Sequence, residues 1–372
     1  MAKSPSAEEV HSFKEMLQLE QQNERLKAEL ATVKNKLKVA LSEVQEAEQR
    51  SRFSEGSALG EKIFRWDEEQ KKSGTQATAF AVLSDWHIEE DVAPQTVNYL
   101  NEFNTKIAEQ RVRRVAWKIL EYLDRYCPMA KVVYLMILGD IITGYIHEEL
   151  LETNNMTPPE AARYGKQLIC AVIDLILRKK SRYIKRIICV TTHGNHSRTS
   201  PKERIKSSAK NSYEWMMYED LKELYRKDHR VMWLTCEGDH NYIQVYGRLV
   251  RCHHGTGIKF NGGVGGFTIS ANKKKANWDK SPFKAELDIF GHLHTKAFLG
   301  HFVANGSLIG HSAYGIRLAC EYEPPTQQFV VFSKNRGCHF AVPIYCNESD
   351  PTYETVMDHI LNDHKPVKKL VF

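Results

Sequence analysis

From Phe13 to Ala47 the chain carries no Gly or Pro and repeats its apolar residues every seven positions, the pattern of a coiled-coil helix. Met16, Asn23, Leu30, Leu37 and Val44 fall at position a, with Leu19, Leu26, Val33, Ala40 and Ala47 at position d. The polar Asn23 within the seam fixes register and favours two parallel strands, because its amide is satisfied only by a mate. A homodimer or higher oligomer through residues 1–50 is therefore expected, a lone amphipathic helix packed on the body being the other reading of so few heptads. Residues 51–75 show no sustained period and many small or charged residues, and read as a linker.

After Thr75 the pattern changes to short apolar runs of strand length, at 77–83, 131–138, 183–190, 242–246 and 249–252. Helix-like stretches separate the earlier ones, at 95–126, 158–180 and 203–228, the middle one opening with Pro158-Pro159-Glu160. Alternation of strand and helix implies an α/β body. From about residue 284 the runs shorten and crowd together, with a hairpin signal at Lys334-Asn335-Arg336-Gly337 and a short helix over 352–362. The expected organisation is a coil (1–50), a linker (51–75), a catalytic body (76–350) and a C-terminal helix and tail (351–372).

Composition narrows the class without naming a function. The 372 residues, 42% hydrophobic and 26% charged, suit a globular chain and exclude a collagenous or wholly disordered one. No apolar run approaches the roughly 18 residues a bilayer span needs, and the opening residues lack the apolar core of a secretory signal, so a cytoplasmic protein without membrane contact is expected. The eight cysteines stand singly with no C-x-x-C pair, which reads as free, buried thiols rather than structural zinc. Residues 1–75 hold 13 basic and 14 acidic residues and the remainder 39 against 32, a mildly basic body that tolerates polyanions.

Five segments stand at the ends of apolar runs: Asp85-Trp86-His87, Gly139-Asp140, Gly194-Asn195-His196, His254-Gly255 and Gly291-His292-Leu293-His294. Ligand sites of α/β sheets lie beyond the carboxyl ends of strands, so such ends can converge on one crevice. The carboxylates, amide and imidazoles offered there mix hard oxygen with borderline nitrogen, a donor set for Mn, Fe, Zn or Co. In extended backbone, D-x-H and H-x-H throw their first and third side chains to one side. Singly each segment is weak, since Gly-Asp and His-Gly are common turns and an isolated histidine is commonly a hydrogen-bonded core residue.

In this order they resemble the signature of the calcineurin-like metallophosphoesterases: D-x-H, G-D, G-N-H, a separate His, and G-H-x-H. The resemblance covers Asp85 to His294 and implies a four-layer β-sandwich flanked by helices, with two divalent metal ions at its crest, manganese first, with Fe, Zn, Co and Mg as alternatives. Carried over, Asp85, His87, Asp140 and His294 would hold one ion, and Asp140, Asn195, His254 and His292 the other, with Asp140 as the bridge. Two ions can share a hydroxide of lowered pKa and clamp the phosphoryl oxygens. His196 would act on the leaving oxygen as a general acid. His254 is assigned because it precedes Gly255 as in relatives, with the adjacent His253 as the alternative; His147 and His193 are read as structural. Ser197 and Ile141-Ile142-Thr143 stand where many relatives carry acidic or amide residues, which bears on substrate rather than on the ions.

For the substrate, the glycines between Gly257 and Gly266, the run Lys273-Lys274-Lys275 and Trp278 read as a flexible loop that could track a phosphate backbone and stack a base. Lys202 and Arg204, with Lys206 and Lys210, add positive charge downstream of Gly194-Asn195-His196. The leading expectation is a phosphodiesterase acting on nucleic acid, distantly similar to the break-repair nucleases of the family and to virus-encoded members. A phosphomonoesterase acting on phosphoprotein or nucleotide, and a coiled-coil assembly protein with a vestigial body, are the alternatives.

Overall fold

The chain divides into two compact units, residues 1–74 and 75–372, and the computed structural model describes residues 7–55, 76–180, 184–260 and 263–363. In the first unit, α1 (Ala7–Glu55) is one helix of 49 residues. It extends into the stretch read as a linker, the rest of which lies outside the described residues, as does the tail after 363. The heptad seam faces solvent, Leu19 being 65% exposed and Val33 60%.

The second unit stacks four layers. β1 (Ala77–Leu83), β2 (Val132–Ile137), β3 (Arg186–Thr191) and β4 (Val231–Leu234) run parallel, joined by α2 (Thr105–Tyr126), α4 (Pro158–Lys180) and α5 (Tyr213–Leu224). Short α3 (Leu150–Thr153) lies in the connection that follows β2. Antiparallel β10 (Thr326–Ser333) and β11 (Gly337–Tyr345) complete a six-stranded sheet in the order β11-β10-β1-β2-β3-β4. The second sheet, β5-β6-β7-β9-β8, comprises β5 (His240–Val245), β6 (Arg248–His253), β7 (Leu287–Phe290), β8 (Ala297–Phe298) and β9 (Phe302–Ala304).

Alternation along each strand assigns the layers. Ala79, Ala81 and Leu83 face the helices, packing with Val115, Ile119, Ile169 and Ile173, whereas Phe80 and Val82 meet Val250, Cys252, Leu287 and Ile289 across the sandwich. β1 lies between β10 and β2 and is buried along nearly its whole length, as a central strand covered on both faces must be. The outer face of the second sheet packs under α6 (Gly263–Trp278) through Phe267, Ala271, Phe290 and Phe302. No described helix is long and apolar enough to cross a membrane.

Three expected elements differ. The helix expected from 95 to 126 begins only at Thr105, where the Asn104 side chain accepts the Ile107 N–H, after a separate turn over Pro94–Val97. The stretch 203–228 holds two short turns before Ser212 caps α5 by accepting the Trp215 N–H. Most important, the lysine run lies on α6 rather than on a glycine loop, because Phe267, Ala271, Lys275 and Trp278 recur at helical spacing and place one face on the sheet.

Beneath α6 the outward positions of β6 and β7 carry charge. Arg251 is fully buried, with Nη2 2.8 Å from Asp288 and 3.2 Å from Asp279, and its guanidinium lies 4.9 Å from the Trp278 ring centroid. Lys275 pairs with Asp279 at 2.8 Å. Removing Arg251 leaves the buried Asp288 with only Lys275, 3.8 Å away and already held by Asp279, as a cation, so Arg251→Ala should cost about 3 kcal/mol of stability in urea unfolding. A loss below about 1 kcal/mol, the scale of an exposed pair, would contradict this account.

Candidate metal centre

The five motif segments leave the ends of β1, β2, β3, β6 and β7 and are tied to one another by backbone hydrogen bonds. Asp85 N–H donates to Gly139 O at 3.0 Å, Trp86 N–H to Asp140 O at 2.7 Å and Gly291 N–H to His254 O at 2.8 Å. The side chains do not converge by strand alternation, as the D-x-H and H-x-H spacing suggested. Asp85, His87, Asp140, His292 and His294 all adopt left-handed backbone, with φ of 55°, 49°, 49°, 71° and 54°. Asp and His are among the residues that tolerate this region best, and left-handed residues of this kind are held by surrounding structure that over-determines them.

That surrounding structure begins with glycine. A Cβ on Gly194 would collide with the Asp140 carboxylate and backbone, and one on Gly291 with the Asp85 carboxylate and Ser84 Oγ. Each of these glycines therefore makes room for a carboxylate from another segment. Two buried glutamates complete the frame. Glu214 accepts the N–H groups of Ile141 (2.5 Å), Ile142 (3.3 Å) and Gly194 (2.8 Å), and Glu89 those of Thr143 (2.8 Å) and Gly144 (2.9 Å). Burial pushes Glu89 up to about 8 and Glu214 to about 7. Neither belongs to a motif. Glu214 had one legible signal, since it shares the buried positions of α5 with Met217, Tyr218 and Leu221, a carboxylate at apolar helical spacing.

Two groups of donors result: Asp85, His87 and His294, and Asp140, His254 and His292, with the donor atoms of each group within 4.8 Å of one another. In the first, His87 Nε2 and His294 Nε2 are 3.2 Å apart, and His294 Nε2 lies 3.6 Å from Asp85 Oδ1. In the second, His254 Nδ1 lies 2.7 Å from the Leu138 carbonyl, to which only an N–H can donate. Its Nε2 then faces Asn195 Oδ1 and Asp140 Oδ2, each at 3.0 Å. A ring nitrogen fixed by a carbonyl bond on the far side and aimed at a carboxylate oxygen and an amide oxygen is the arrangement of a metal ligand.

Protonation of the imidazoles supports the same fit, whereas burial pushes the Asp85 carboxyl up to about 7. Burial lowers His292 to about 3 and His294 to about 4 and holds His87 well below the ordinary value, which keeps these imidazoles neutral and able to ligate. His254 is the exception: burial opposes its charge, but Asp140 and Asp85 outweigh it and raise the ring to about 10. Burial likewise works against the Asp140 carboxylate, yet His254 and His196 hold it well below the carboxylate range. The second group thus already has the electrostatics of a site that stabilises positive charge among oxygens.

The sequence matches the family model described as calcineurin-like phosphoesterase over residues 78–323. The chain belongs to this family. An archaeal phosphodiesterase is similar at 11% identity, with 71% of this chain and 99% of that one covered and a TM-score of 0.32. Vps29 from Entamoeba histolytica complexed with zinc gives 10% identity, 72% and 99% coverage, and a TM-score of 0.30. A predicted phosphoesterase from Streptococcus pneumoniae gives 12% identity, 72% and 97% coverage, and a TM-score of 0.26. No curated protein matches the chain. Calcineurin-like phosphoesterases are metal-dependent hydrolases with a dinuclear centre, and the two donor groups are the candidate ligands for it here.

Within this calcineurin-like site, His196 is fixed through two contacts: its N–H donates to Asp140 Oδ1 at 2.9 Å, and its Nδ1 lies 3.0 Å from the Thr143 carbonyl. Its ring centroid is 4.8 Å from that of His87. His253, the neighbour of His254, points to the opposite face, stacked on Phe290 at 5.1 Å and edge-on to Trp278, as strand alternation requires. His193 is partly buried beside the second group, and His147 is exposed. Lys202 and Arg204 are exposed on the segment that follows His196. Of the α6 residues, Lys273 is exposed and Lys274 Nζ lies 3.4 Å from where a Gly257 Cβ would stand. Lys275 is engaged by Asp279, and Trp278 is turned toward Arg251, His240 and His253 rather than offering a free stacking face.

Two outcomes follow. His254→Ala should lower the bound Mn²⁺ content, measured by elemental analysis after desalting, while His253→Ala leaves it unchanged. Glu214→Ala should weaken Mn²⁺ binding about 10–100-fold in calorimetric titration, as loss of a group that orients ligands does, whereas Asp220→Ala on the exposed face of α5 should not.

Proposed function

We propose that this calcineurin-like phosphoesterase is a dinuclear-metal-dependent phosphodiesterase that hydrolyses nucleic acid. The observation that carries the reading is His196, held against both donor groups and followed, from Lys202, by an exposed basic segment. That segment carries the exposed Lys202, Arg204 and Lys206, with Glu203 as its one acidic residue, and Arg198 braces it by donating to the Asn195, Ser200 and Pro201 carbonyls. Bound ions would supply a water of lowered pKa and positive charge for the phosphoryl oxygens.

The chain's own groups supply the rest. An Nδ1–H bond to the Thr143 carbonyl leaves His196 Nε2 as the free ring position, and the imidazolium, which burial disfavours and the Asp140 carboxylate favours, can give its Nε2 proton to the leaving oxygen and return to the neutral ring. Asp140 fixes that ring's backbone through one oxygen while its other faces His254. Lys202, Arg204 and Lys206, with Lys273 and Lys274, would meet phosphates flanking the scissile one, a contact that positions a strand without reading its sequence. The exposed seam of α1 supports pairing with a second copy of the chain, Asn23 setting the register.

The test is Mn²⁺-dependent cleavage of labelled single- and double-stranded DNA and RNA, beside His196→Ala and Asp140→Asn. Cleavage by wild type and a loss of at least about 100-fold in both variants is expected. Turnover of a simple phosphomonoester with no cleavage of any nucleic acid would overturn the diesterase reading in favour of a phosphatase. Deletion of residues 1–50 should halve the solution mass with turnover retained; an unchanged oligomeric state would overturn the pairing.

A further inference from the structure

Next to His196, two aromatic side chains from different loops meet in solvent. The His147 ring centroid is 6.1 Å from that of His196 and 6.1 Å from that of Tyr314, and the His147 and Tyr314 planes are 25° apart. Tyr314 is 50% exposed and His147 is exposed. Large aromatic surface normally leaves water on folding, yet both segments are anchored so that these rings stay out.

The anchoring of the first loop is Glu89, which accepts the Thr143 and Gly144 N–H groups, and Asn154, whose Nδ2 donates to Gly144 O at 2.7 Å. Gly144 itself, at φ 61°, abuts the His196 carbonyl, where a Cβ would meet the oxygen at 2.5 Å. On the second loop, Arg111 Nη1 donates to the Leu308 and Ile309 carbonyls at 2.8 and 2.7 Å, and Asn101 Nδ2 to His311 O at 2.7 Å. Ser312 then caps α7 (Ala313–Arg317) by accepting the Gly315 N–H. Two buried or half-buried polar residues therefore fix the tyrosine loop as two others fix the histidine loop. Exposed rings on rigid supports contact a ligand without an ordering cost.

We infer that His147 and Tyr314 form a stacking platform for the nucleobase adjacent to the scissile phosphate. The inference rests on the nuclease reading and adds to it the part of the substrate that these residues would take. A planar base matches two nearly parallel rings beside a phosphoryl site, and stacking is tolerant of base identity. The platform replaces the role expected of Trp278, whose ring is occupied by Arg251 and the histidines beneath α6. It also gives substrate-facing work to His147, which the motif left as a bystander.

The test uses the full-length chain with Mn²⁺ in a non-cleaving His196→Ala background, and reads the fluorescence anisotropy of a labelled single-stranded DNA decamer and its fully abasic counterpart. The normal strand should bind about tenfold more tightly than the abasic one, the scale of a single base stack. Tyr314→Ala should remove that difference without altering abasic binding, and Tyr314→Phe should retain it, which separates stacking from a folding defect. Equal binding of the two strands, or discrimination that survives Tyr314→Ala, overturns the platform. If wild type cleaves nucleic acid while the two strands bind equally, the platform fails and the nuclease stands; if nucleic acid is neither bound nor cleaved, both fail.

Discussion

Asp140 lies where the ends of three parallel strands meet, and its two oxygens are committed in different directions. Oδ1 accepts the His196 backbone N–H and Oδ2 faces His254 Nε2, so one carboxylate links the third strand end of the first sheet to the second sheet. Gly194 gives it room and Glu214 holds the backbone on both sides of it. Such a carboxylate is fully removed from water and would be expensive if unpaired. The imidazoles and N–H groups around it are the compensation, and the positions of His196, His254 and the loops carrying them follow from that requirement.

The sandwich explains why so remote a set of residues can meet. β1, β2 and β3 run parallel in one sheet and β6 and β7 parallel in the other, so five carboxyl ends open on one rim without any long excursion of chain. Alternation then sorts adjacent residues with different fates. His253 belongs to the outward register of β6 and packs under α6, whereas His254, one residue beyond the strand, is bonded to Leu138 and turned to the donor group. The layer under α6 is polar and aromatic together, with Arg251 and Trp278 in contact, and it supports the strand that presents His254.

Much of this was legible because the determinants are local. The runs at 77–83 and 158–180 mark β1 and α4 at their observed bounds, since continuous apolar or amphipathic period and a Pro-Pro start leave little alternative. Four of the five motif segments hold the residues of the two donor groups, each combining a strand end with a residue type that metals accept, while Gly194-Asn195-His196 adds no member and only brings Asn195 Oδ1 to 3.0 Å from His254 Nε2. What the sequence concealed depends on distant partners. Glu89 acts on backbone from another loop, so no spacing announces it, and Glu214 showed only as a carboxylate among the apolar positions of α5, without the backbone it holds. α6 was hidden by the glycines at its start, which read as a loop although the residues that follow keep a helical period. The meeting of His147 with Tyr314 joins residues far apart in sequence through two independently anchored loops.

The left-handed backbone at Asp85, His87, Asp140, His292 and His294 sets which exchanges the crest can accept. Asp, Asn and His are the side chains best suited to that region, and β-branched residues are among the worst. They are also side chains with oxygen or nitrogen donors for divalent ions. A substitution within this set alters ligand hardness and charge while the loops keep their path, whereas one outside it disturbs the path itself. The backbone thus acts as a filter on side-chain chemistry, leaving the preferred ion open to tuning and the architecture of the crest closed to it.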